Sequence, residues 1–370
     1  MEYIFVLFIL NFVFYLLFLS FNIFSLCRHS NYKNNNIVDS PVSVIVAIRN
    51  GQQSLSLLIK KLLNQDYRGD IEIILVDDQS NDDTKKIIME AQEKHPQIKY
   101  ASSDEGAPNL KFKKKALDAG IKKSIFDILL FTDVDCQVGK SWVSSMANCF
   151  TEKVDYVIGF SRAQYIFGLA NLFQRVDFLM MMFSAKAVTN IGFPLASSGQ
   201  NQAFRKKLFF KVGGYNKISD LLMGDDSIFL QLCLKEKARV VFCNDYNSYV
   251  FCRSESNWKD LLLQKMRWAG DGNIMWKYNY IFYQIMISTV ISNMFIFFLL
   301  TTASMYYLII VLFIKFFFEL IFCIAGTLKS KEKINIISFI YWYMVNIPYV
   351  CVMCIASFFV PMLSWHNRKQ

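Results

Sequence analysis

Four short groups of residues combine side chains that suit chemistry on a phosphate-linked substrate. Paired carboxylates can hold a divalent cation or act as a general base, and an arginine beside a tryptophan offers a planar cation and an apolar plate. Only three histidines occur and none lies near these groups, so acid–base work falls to carboxylates. The groups are Asp77-Asp78, Asp133-Val134-Asp135, Asp225-Asp226 and Gln264-Lys265-Met266-Arg267-Trp268.

Asp133 and Asp135 directly follow an apolar stretch at residues 127–131 that we predict to be a buried strand. Alternate residues of an extended segment point the same way, so both carboxylates are expected to face one site. Two hard oxygen ligands suit Mg²⁺ or Mn²⁺ shared with a diphosphate. One alternative is a pair of solvated turn residues. The other is a membrane-anchored D-x-D phosphatase with Asp133 as nucleophile, and Gln137, two residues after the second aspartate, argues against this phosphatase.

Asp225 and Asp226 are adjacent carboxylates, and a close like charge raises the pKa of one partner towards a value useful for a base. The pair also precedes a helix predicted at residues 227–235, which it could cap. These two interpretations are compatible with each other.

Asp77 and Asp78 leave a second predicted strand, at residues 71–76. They are expected to accept hydrogen bonds from a nucleotide base or ribose. The alternative is that they open a turn and cap a helix that starts near Asp83.

The elements that must position these groups alternate between strand and helix. Apolar, β-branched runs at residues 42–48, 71–76, 127–131 and 154–160 predict strands, and the segments at 54–63, 83–94, 113–123 and 142–150 predict helices. This alternation predicts an α/β fold with a mixed, mostly parallel sheet covered on both faces. In such sheets the ligand binds beyond the carboxyl ends of the strands, where the acidic groups fall.

Composition indicates a membrane protein, because 54% of the 370 residues are hydrophobic and the apolar runs are localised. Residues 3–26, two segments within 280–327 and residues 334–360 are long enough to span a bilayer core of roughly 30 Å. Arg28, Lys33 and the basic loop at residues 329–333 place the large domain on the cytoplasmic side of the cell (inner) membrane. The net charge of +10 fits lysines facing anionic lipid, and no basic–aromatic pattern indicates a nucleic-acid partner.

Four further features have a structural interpretation. The helix carrying Gln264, Arg267 and Trp268 could lie at the membrane interface, as could residues 165–187, which could equally form a core helix. Lys315 and Glu319, four residues apart within a span, are expected to form a salt bridge inside the bundle. The nine scattered cysteines indicate small buried side chains in a reduced compartment.

The ordered set of motifs resembles the membrane-bound family-2 glycosyltransferases, inverting enzymes with a GT-A catalytic domain. The resemblance covers residues 41–268. It rests on Ala47-Ile48-Arg49-Asn50 (A-x-R-N-E, with Gly51 for the acid), Val76 to Ser80 (V-D-D-x-S), Lys111 to Leu117 (G-K-x-x-A-L without the glycine), Asp133 to Asp135 (D-x-D), Ser198 to Tyr215 (G-x-N-x-A-x-R with V-G-G-Y), Gly224 to Asp226 (E-D) and Gln264 to Trp268 (Q-x-x-R-W).

The resemblance implies a role for each matching residue. A run of solvated lysines is the alternative for residues 111–115, where Lys114 or Lys115 could contact the donor. The implied roles are catalysis by Asp226 as base with Asp225 beside it; donor-nucleotide binding by Ala47, Arg49, Asp77, Asp78, Lys115 and Asp133; diphosphate or acceptor binding by Gln200, Asn201, Gln264, Arg267 and Trp268; and metal binding by Asp135 with Asp133.

The resemblance also implies the overall activity and organisation. We expect transfer of a sugar from a nucleotide sugar, most often UDP-linked in such enzymes, to a lipid, a lipid-linked glycan or a polysaccharide, with Mg²⁺ or Mn²⁺ as cofactor. A processive polysaccharide synthase is the alternative within the family. The predicted boundaries are residues 1–27 for a transmembrane helix, 28–40 for a linker, 41–256 for the GT-A domain, 257–279 for an interfacial helix region and 280–363 for three transmembrane helices.

Overall fold

A computed structural model describes residues 2–28, 39–302 and 305–362 of the chain. Most of the predicted linker, residues 29–38 with Lys33, lies outside the described residues, as do residues 303–304 within the segment predicted to contain two spans. The strands are β1 (Val42–Ile48), β2 (Ile71–Asp77), β3 (Ile98–Ser102), β4 (Ile128–Phe131), β5 (Tyr156–Ile158), β6 (Ser161–Ala163), β7 (Gln202–Arg205), β8 (Val240–Phe242) and β9 (Val250–Cys252). The helices are α1 (Glu2–Cys27), α2 (Gln52–Leu63), α3 (Thr84–Lys94), α4 (Phe112–Lys123), α5 (Trp142–Ala147), α6 (Leu169–Asn190), α7 (Lys206–Val212), α8 (Ser227–Lys235), α9 (Trp258–Ile274), α10 (Tyr280–Thr301), α11 (Met305–Ser330) and α12 (Ile336–Ala356).

The chain divides into two compact units. One contains Met1–Ser30, Tyr165–Ile191 and Ser254–Gln370, and the other contains Asn31–Gln164 and Gly192–Arg253. This division differs from the predicted domain boundaries, because α6 belongs with the long apolar helices and not with the strands around it.

The second unit is built on a seven-stranded sheet of order β3-β2-β1-β4-β7-β5-β8, with a separate two-stranded sheet of β6 and β9. β1, β2, β3 and β4 are parallel, and β7 runs antiparallel between β4 and β5. The prediction of a mixed, mostly parallel sheet is therefore confirmed.

Both faces of this sheet are covered, which explains why its central strands are almost continuously apolar. Val44 and Val46 of β1 pack with Leu55 and Leu58 of α2 in a buried core. On the opposite face α4 approaches so closely that a Cβ on Gly120 would lie 2.6 Å from the Ile45 side chain.

Short strands account for most differences from the predicted elements. Residues 154–160 do not form one strand: β5 ends at Ile158, and β6 pairs with β9 in the second sheet. The close contact of Gly159 with the Asn201 side chain separates the two. The helix predicted at residues 142–150 ends at Ala147.

Within the part of the chain that the structure describes, the first unit has four helices long and apolar enough to cross a membrane: α1, α10, α11 and residues 336–359, which include α12. These match the four predicted spans. For the α6 helix an interfacial position and a core position were both predicted as possible, and most of its residues are buried.

The predicted salt bridge within the span of α11 is confirmed. Lys315 Nζ lies 2.7 Å from Glu319 Oε1, and both side chains are almost fully buried. The Tyr15 hydroxyl of α1 also donates to Glu319 Oε1, at 2.5 Å. This buried pair therefore links α1 to α11.

Replacing Lys315 with methionine is expected to destabilise the helix bundle by about 3–5 kcal/mol, because it leaves Glu319 buried without its cationic partner. The measurement is the unfolding temperature in detergent. The double variant Lys315→Met with Glu319→Gln is the control, since glutamine leaves no charge and still accepts from Tyr15. A single variant as stable as the wild type would contradict this account.

Candidate active site

The turns that carry the acidic groups leave the sheet at one edge. β1 and β2 are parallel, with Ile48 opposite Asp77, and β1 and β4 are parallel, with Ile45 opposite Phe131. Because β7 is antiparallel and Gln202 lies opposite Phe131, the segment that enters β7 begins at the same edge. The carboxyl ends of three parallel strands and the start of β7 thus converge.

At the ends of β1 and β2, Asp77 and Asp78 are both buried. Asp77 Oδ1 accepts from the Ser80 backbone N–H at 3.1 Å, and Arg49 Nη1 donates to the backbone carbonyl of Asp78 at 2.8 Å. Neither aspartate caps α3, whose N-cap is Asp83. Asp77 and Asp78 therefore shape the turn beside Arg49. Ala47, near the end of β1, is half-buried.

Gly51 explains one departure from the family pattern at this turn. A Cβ at this position would lie 2.6 Å from Ile48 Cγ2 and 2.9 Å from Val134 Cγ2. No larger side chain fits without movement, so the acid expected from the family motif has no room here. The contact also places the backbone after β1 against the D-x-D segment.

The D-x-D carboxylates come together through a turn. The expectation of an extended segment was wrong, because the Cys136 N–H donates to the Asp133 carbonyl at 3.1 Å and reverses the chain. Burial, and then the nearby charge of Asp133, raise the pKa of Asp135 to about 6, against the opposing effects of Lys113 and Arg253. The two carboxylates therefore act on each other electrostatically.

The adjacent carboxylates of the second acidic pair differ in environment. Asp225 is buried, and Asp226 is the N-cap of α8, accepting from the Ser227 N–H and, at 3.1 Å, from the Gly199 N–H. Burial and the neighbouring charge of Asp225 raise the pKa of Asp226 to about 6, although these N–H groups and Lys113 oppose the shift. Capping and a raised pKa thus coexist in Asp226.

Lys113 joins the two acidic pairs, and sequence reasoning missed it. Its Nζ lies 2.7 Å from Asp133 Oδ1 and 3.4 Å from Asp225 Oδ2. Burial lowers the pKa of Lys113, but Asp133 and Asp225 raise it by more, so the lysine is firmly cationic. Counting back from Ala116 in the G-K-x-x-A-L pattern points to Lys113, and Phe112 adopts the left-handed φ of 53° where that pattern has glycine.

The neighbouring lysines, Lys114 and Lys115, contact residues outside the acidic cluster. Lys114 is fully buried and donates to the backbone carbonyls of Leu221 and Met223, just before the second acidic pair. Lys115 lies 3.2 Å from Asp104, whose side chain is largely exposed. The structure thus brings Lys113 to the acidic cluster, and neither Lys114 nor Lys115.

The segment that enters β7 closes the cluster from another side. A Cβ on Gly199 would lie 3.1 Å from Lys113 Nζ and 3.2 Å from Asp225 Oδ2, so glycine permits this close approach. The Asn201 amide is fully buried; it donates to the carbonyls of Phe160 and Ser248 and accepts from Trp142 Nε1. Gln200 is half-buried beside Ser198.

Gln264, Arg267 and Trp268 lie on α9 in the other unit, where the predicted helix is confirmed. Gln264 donates to Glu255 Oε1 at 3.1 Å and accepts from Gln174 of α6 at 3.2 Å. Burial lowers the pKa of Arg267, and Glu255 opposes that shift. The Trp268 ring packs against Phe178, with centroids 5.8 Å apart.

The donor set at the D-x-D segment fits a divalent cation that is also held by its substrate. Asp133 and Asp135 offer hard oxygen ligands, which Mg²⁺ and Mn²⁺ prefer. Among the described residues no group of three or more histidine, cysteine, aspartate or glutamate side chains forms a complete metal cage. A cation at Asp133 and Asp135 would need further oxygen ligands besides these two side chains.

Comparison with known proteins identifies the family. Residues 43–212 match the family described as Glycosyl transferase family 2, and residues 135–363, more than half of the chain, match Glycosyl transferase family group 2. The chain belongs to the family-2 glycosyltransferases, and it is an enzyme of that class.

Individual relatives are distant. A probable glycosyltransferase, YdaM, of Bacillus subtilis (strain 168) is 26% identical over 69% of this chain and 61% of its own length, so the match spans less than two thirds of that protein. A GalNAc(5)-diNAcBac-PP-undecaprenol beta-1,3-glucosyltransferase of Campylobacter jejuni is 46% identical over 16% of this chain and 19% of its own.

The fold has a counterpart that extends over the whole chain. The mannosyltransferase PcManGT of Pyrobaculum calidifontis, solved with GDP-Man and Mn²⁺, matches with a TM-score of 0.63 and 15% identity, covering 99% of each chain. The sheet therefore belongs to a GT-A domain, accompanied by four helices apolar enough to span a membrane, one N-terminal and three C-terminal.

Proposed function

We propose that this enzyme transfers a sugar from a nucleotide-diphosphate sugar to a lipid, a lipid-linked glycan or a polysaccharide, with inversion at the anomeric carbon. The observation that supports this most strongly is the convergence of Asp133, Asp135, Asp225 and Asp226 around Lys113 at one sheet edge. In this cluster Asp133 and Asp135 form the proposed metal-binding pair, and Asp225 and Asp226 form the pair that contains the proposed base.

Asp226 is the proposed catalytic base. The acceptor oxygen forms a bond to the anomeric carbon while the bond from that carbon to the diphosphate oxygen breaks, and Asp226 takes the proton of the acceptor hydroxyl. A pKa of about 6 leaves Asp226 ionised near neutral pH yet basic enough to accept a proton. Asp225 supports this role by its charge.

Asp135, with Asp133, is the proposed ligand of Mg²⁺ or Mn²⁺. When bound, the cation would neutralise charge on the leaving diphosphate. Asp135 is assigned as the main metal ligand because burial disfavours an unpaired carboxylate charge, and a bound cation would compensate for that cost. Asp133 is proposed to share the metal and to contact the ribose or sugar.

The remaining binding roles follow the family motifs. At the turn after β1 and β2, Arg49 and the buried Asp77 and Asp78 form the proposed nucleotide site. The other proposed contacts are Ala47 and Lys115 for the nucleotide, and Gln200, Asn201, Gln264, Arg267 and Trp268 for the diphosphate or acceptor.

The acceptor is proposed to be reached from the cytoplasmic face of the cell membrane. Four helices long and apolar enough to span a bilayer support a membrane location, and Arg28 with the basic loop at residues 329–333 supports the orientation. A relative whose name specifies an undecaprenol-linked glycan acceptor supports a lipid-linked substrate. UDP remains the expected nucleotide.

The test is release of a nucleoside diphosphate by the purified chain in detergent, with UDP- and GDP-sugars, with and without Mn²⁺, and with lipid-linked acceptors. We expect Mn²⁺-dependent release that an acceptor stimulates, and the length of the product separates single from processive transfer. Phosphate release from a phosphorylated substrate without any nucleotide sugar would support the phosphatase alternative. Absence of donor turnover across the panel would refute the proposal.

A further inference from the structure

The ammonium of Lys113 occupies a position that the proposed reaction does not use. It lies between a carboxylate of the D-x-D segment and a carboxylate of the second pair, 2.7 Å from Asp133 Oδ1 and 3.4 Å from Asp225 Oδ2. A cation bound by Asp133 would have to share or displace that contact.

We propose that Lys113 is a positioning residue: an internal cation that holds Asp133 and Asp225 together and weakens the binding of a free divalent cation, so that the metal binds together with the nucleotide sugar. This inference depends on the proposed metal site at Asp133 and Asp135. It concerns the order of binding, which the family assignment leaves open.

The surroundings of Lys113 fix its ammonium in place. Gly199 approaches so closely that a Cβ there would lie 3.1 Å from Nζ, which leaves little space on that side. The neighbouring Lys114 is anchored to the carbonyls of Leu221 and Met223, so the first turn of α4 is tied to the loop that carries Asp225. Lys113 cannot easily leave Asp133 without a replacement charge.

The charge balance favours the same conclusion. The four carboxylates of Asp133, Asp135, Asp225 and Asp226 are only partly offset by Lys113 and Arg253, so the charge of Lys113 reduces the attraction of this cluster for a free dication. A free divalent cation that binds the D-x-D pair meets the repulsion of a fixed positive charge within a few ångströms. A cation that arrives with a diphosphate brings negative charge that compensates for this repulsion.

The test measures Mn²⁺ binding to the purified full-length chain without nucleotide, by electron paramagnetic resonance of free Mn²⁺. We expect Lys113→Met to bind Mn²⁺ about tenfold more tightly than the wild type, because a repelling charge is removed. Lys113→Arg keeps the charge and should resemble the wild type. Lys122→Met, the same change on the exposed side of α4, is the matched control.

A second readout uses the coupling between the two ligands. UDP should tighten Mn²⁺ binding more in the wild type than in Lys113→Met, because only the wild type has repulsion to relieve. Adding Asp135→Asn to Lys113→Met should remove the tighter site, which locates the cation at the D-x-D segment. Lys113→Gln replaces Lys113→Met if the latter unfolds at lower temperature than Lys122→Met.

Folded Lys113→Met or Lys113→Gln protein that binds Mn²⁺ no more tightly than the wild type would overturn the inference. Failure of the proposed function is distinguishable, because it appears as absent donor turnover in the wild type whatever its Mn²⁺ affinity. Normal donor turnover by the wild type, together with unchanged Mn²⁺ affinity in the Lys113 variants, would contradict only the proposed effect of Lys113 on metal binding.

Discussion

Asp226→Asn is expected to lower kcat by about three orders of magnitude, within the range of roughly 10²–10⁴ that a general base contributes. The amide cannot take the acceptor proton. Its oxygen can still accept from the Ser227 backbone N–H that caps α8, so the start of α8 should keep its structure, although the bond from the Gly199 N–H to the other carboxylate oxygen is lost. The measurement is nucleoside diphosphate release at saturating donor, together with donor affinity by calorimetry, which should change little.

The pH dependence provides a separate check on Asp226. Its pKa is raised to about 6, so the carboxyl is protonated and inactive as a base below that pH and ionised above it. Activity of the wild type should therefore rise as pH increases through about 6, and saturating Mn²⁺ keeps Asp135 ionised in the same range. Asp220→Asn, on an exposed residue of the preceding loop, is the control. Near-normal turnover of Asp226→Asn would remove Asp226 as the base.

Sequence periodicity predicted the central fold well because the relevant strands are long and apolar. β1 is apolar apart from Ser43, β2 is apolar apart from Glu72 and Asp77, and β4 is apolar throughout. β5, β6, β8 and β9 have only three residues each, too few for a pattern to define their bounds or partners. The antiparallel β7 follows a glycine-containing turn, and its direction depends on tertiary pairing.

The acidic residues of the candidate site stand out in the sequence because Asp77 and Asp133 to Asp135 lie at the carboxyl ends of predicted strands, and Asp225 and Asp226 precede a predicted helix. The basic residues were harder to identify from the sequence. A run of three lysines at the start of α4 carries no local signal of which one faces the acidic cluster, and the helical turn directs Lys113 there, Lys114 into the core and Lys115 towards Asp104. Only its position in the G-K-x-x-A-L pattern could have distinguished Lys113 from the other two lysines.

The fully buried Asn201 shows a second limit of motif reading. Its amide makes three hydrogen bonds to Phe160, Ser248 and Trp142, which hold the segment before β7 in place. The proposed role of Asn201 at the diphosphate or acceptor would act through the backbone of Gly199 and Gln200, which these bonds help to position. A polar residue in a motif can thus serve the site through the backbone it fixes.

Asp135→Asn is expected to reduce donor affinity in the presence of Mn²⁺ by more than roughly 10–100-fold. That range is the cost of losing a residue that only hydrogen-bonds to a metal ligand, and Asp135 is proposed to bind the metal itself. Burial and Asp133 raise the pKa of Asp135 to about 6, so this carboxylate gains most from a bound cation. Removing it leaves Asp133, which Lys113 already engages at 2.7 Å. The measurement is calorimetric binding of UDP at several Mn²⁺ concentrations.

The control for Asp135→Asn is Asp127→Asn, which changes a carboxylate at the opposite end of β4, where it pairs with Arg205. Because metal binding displaces protons from its ligands, wild-type Mn²⁺ affinity should also fall as pH drops below about 6, and Asp135→Asn should lose that dependence. Donor affinity that is unchanged by Asp135→Asn, yet still raised by Mn²⁺, would place the cation elsewhere. Loss of affinity confined to Mn²⁺-containing samples would separate the proposed metal site from the proposed nucleotide contacts of Asp77 and Asp78.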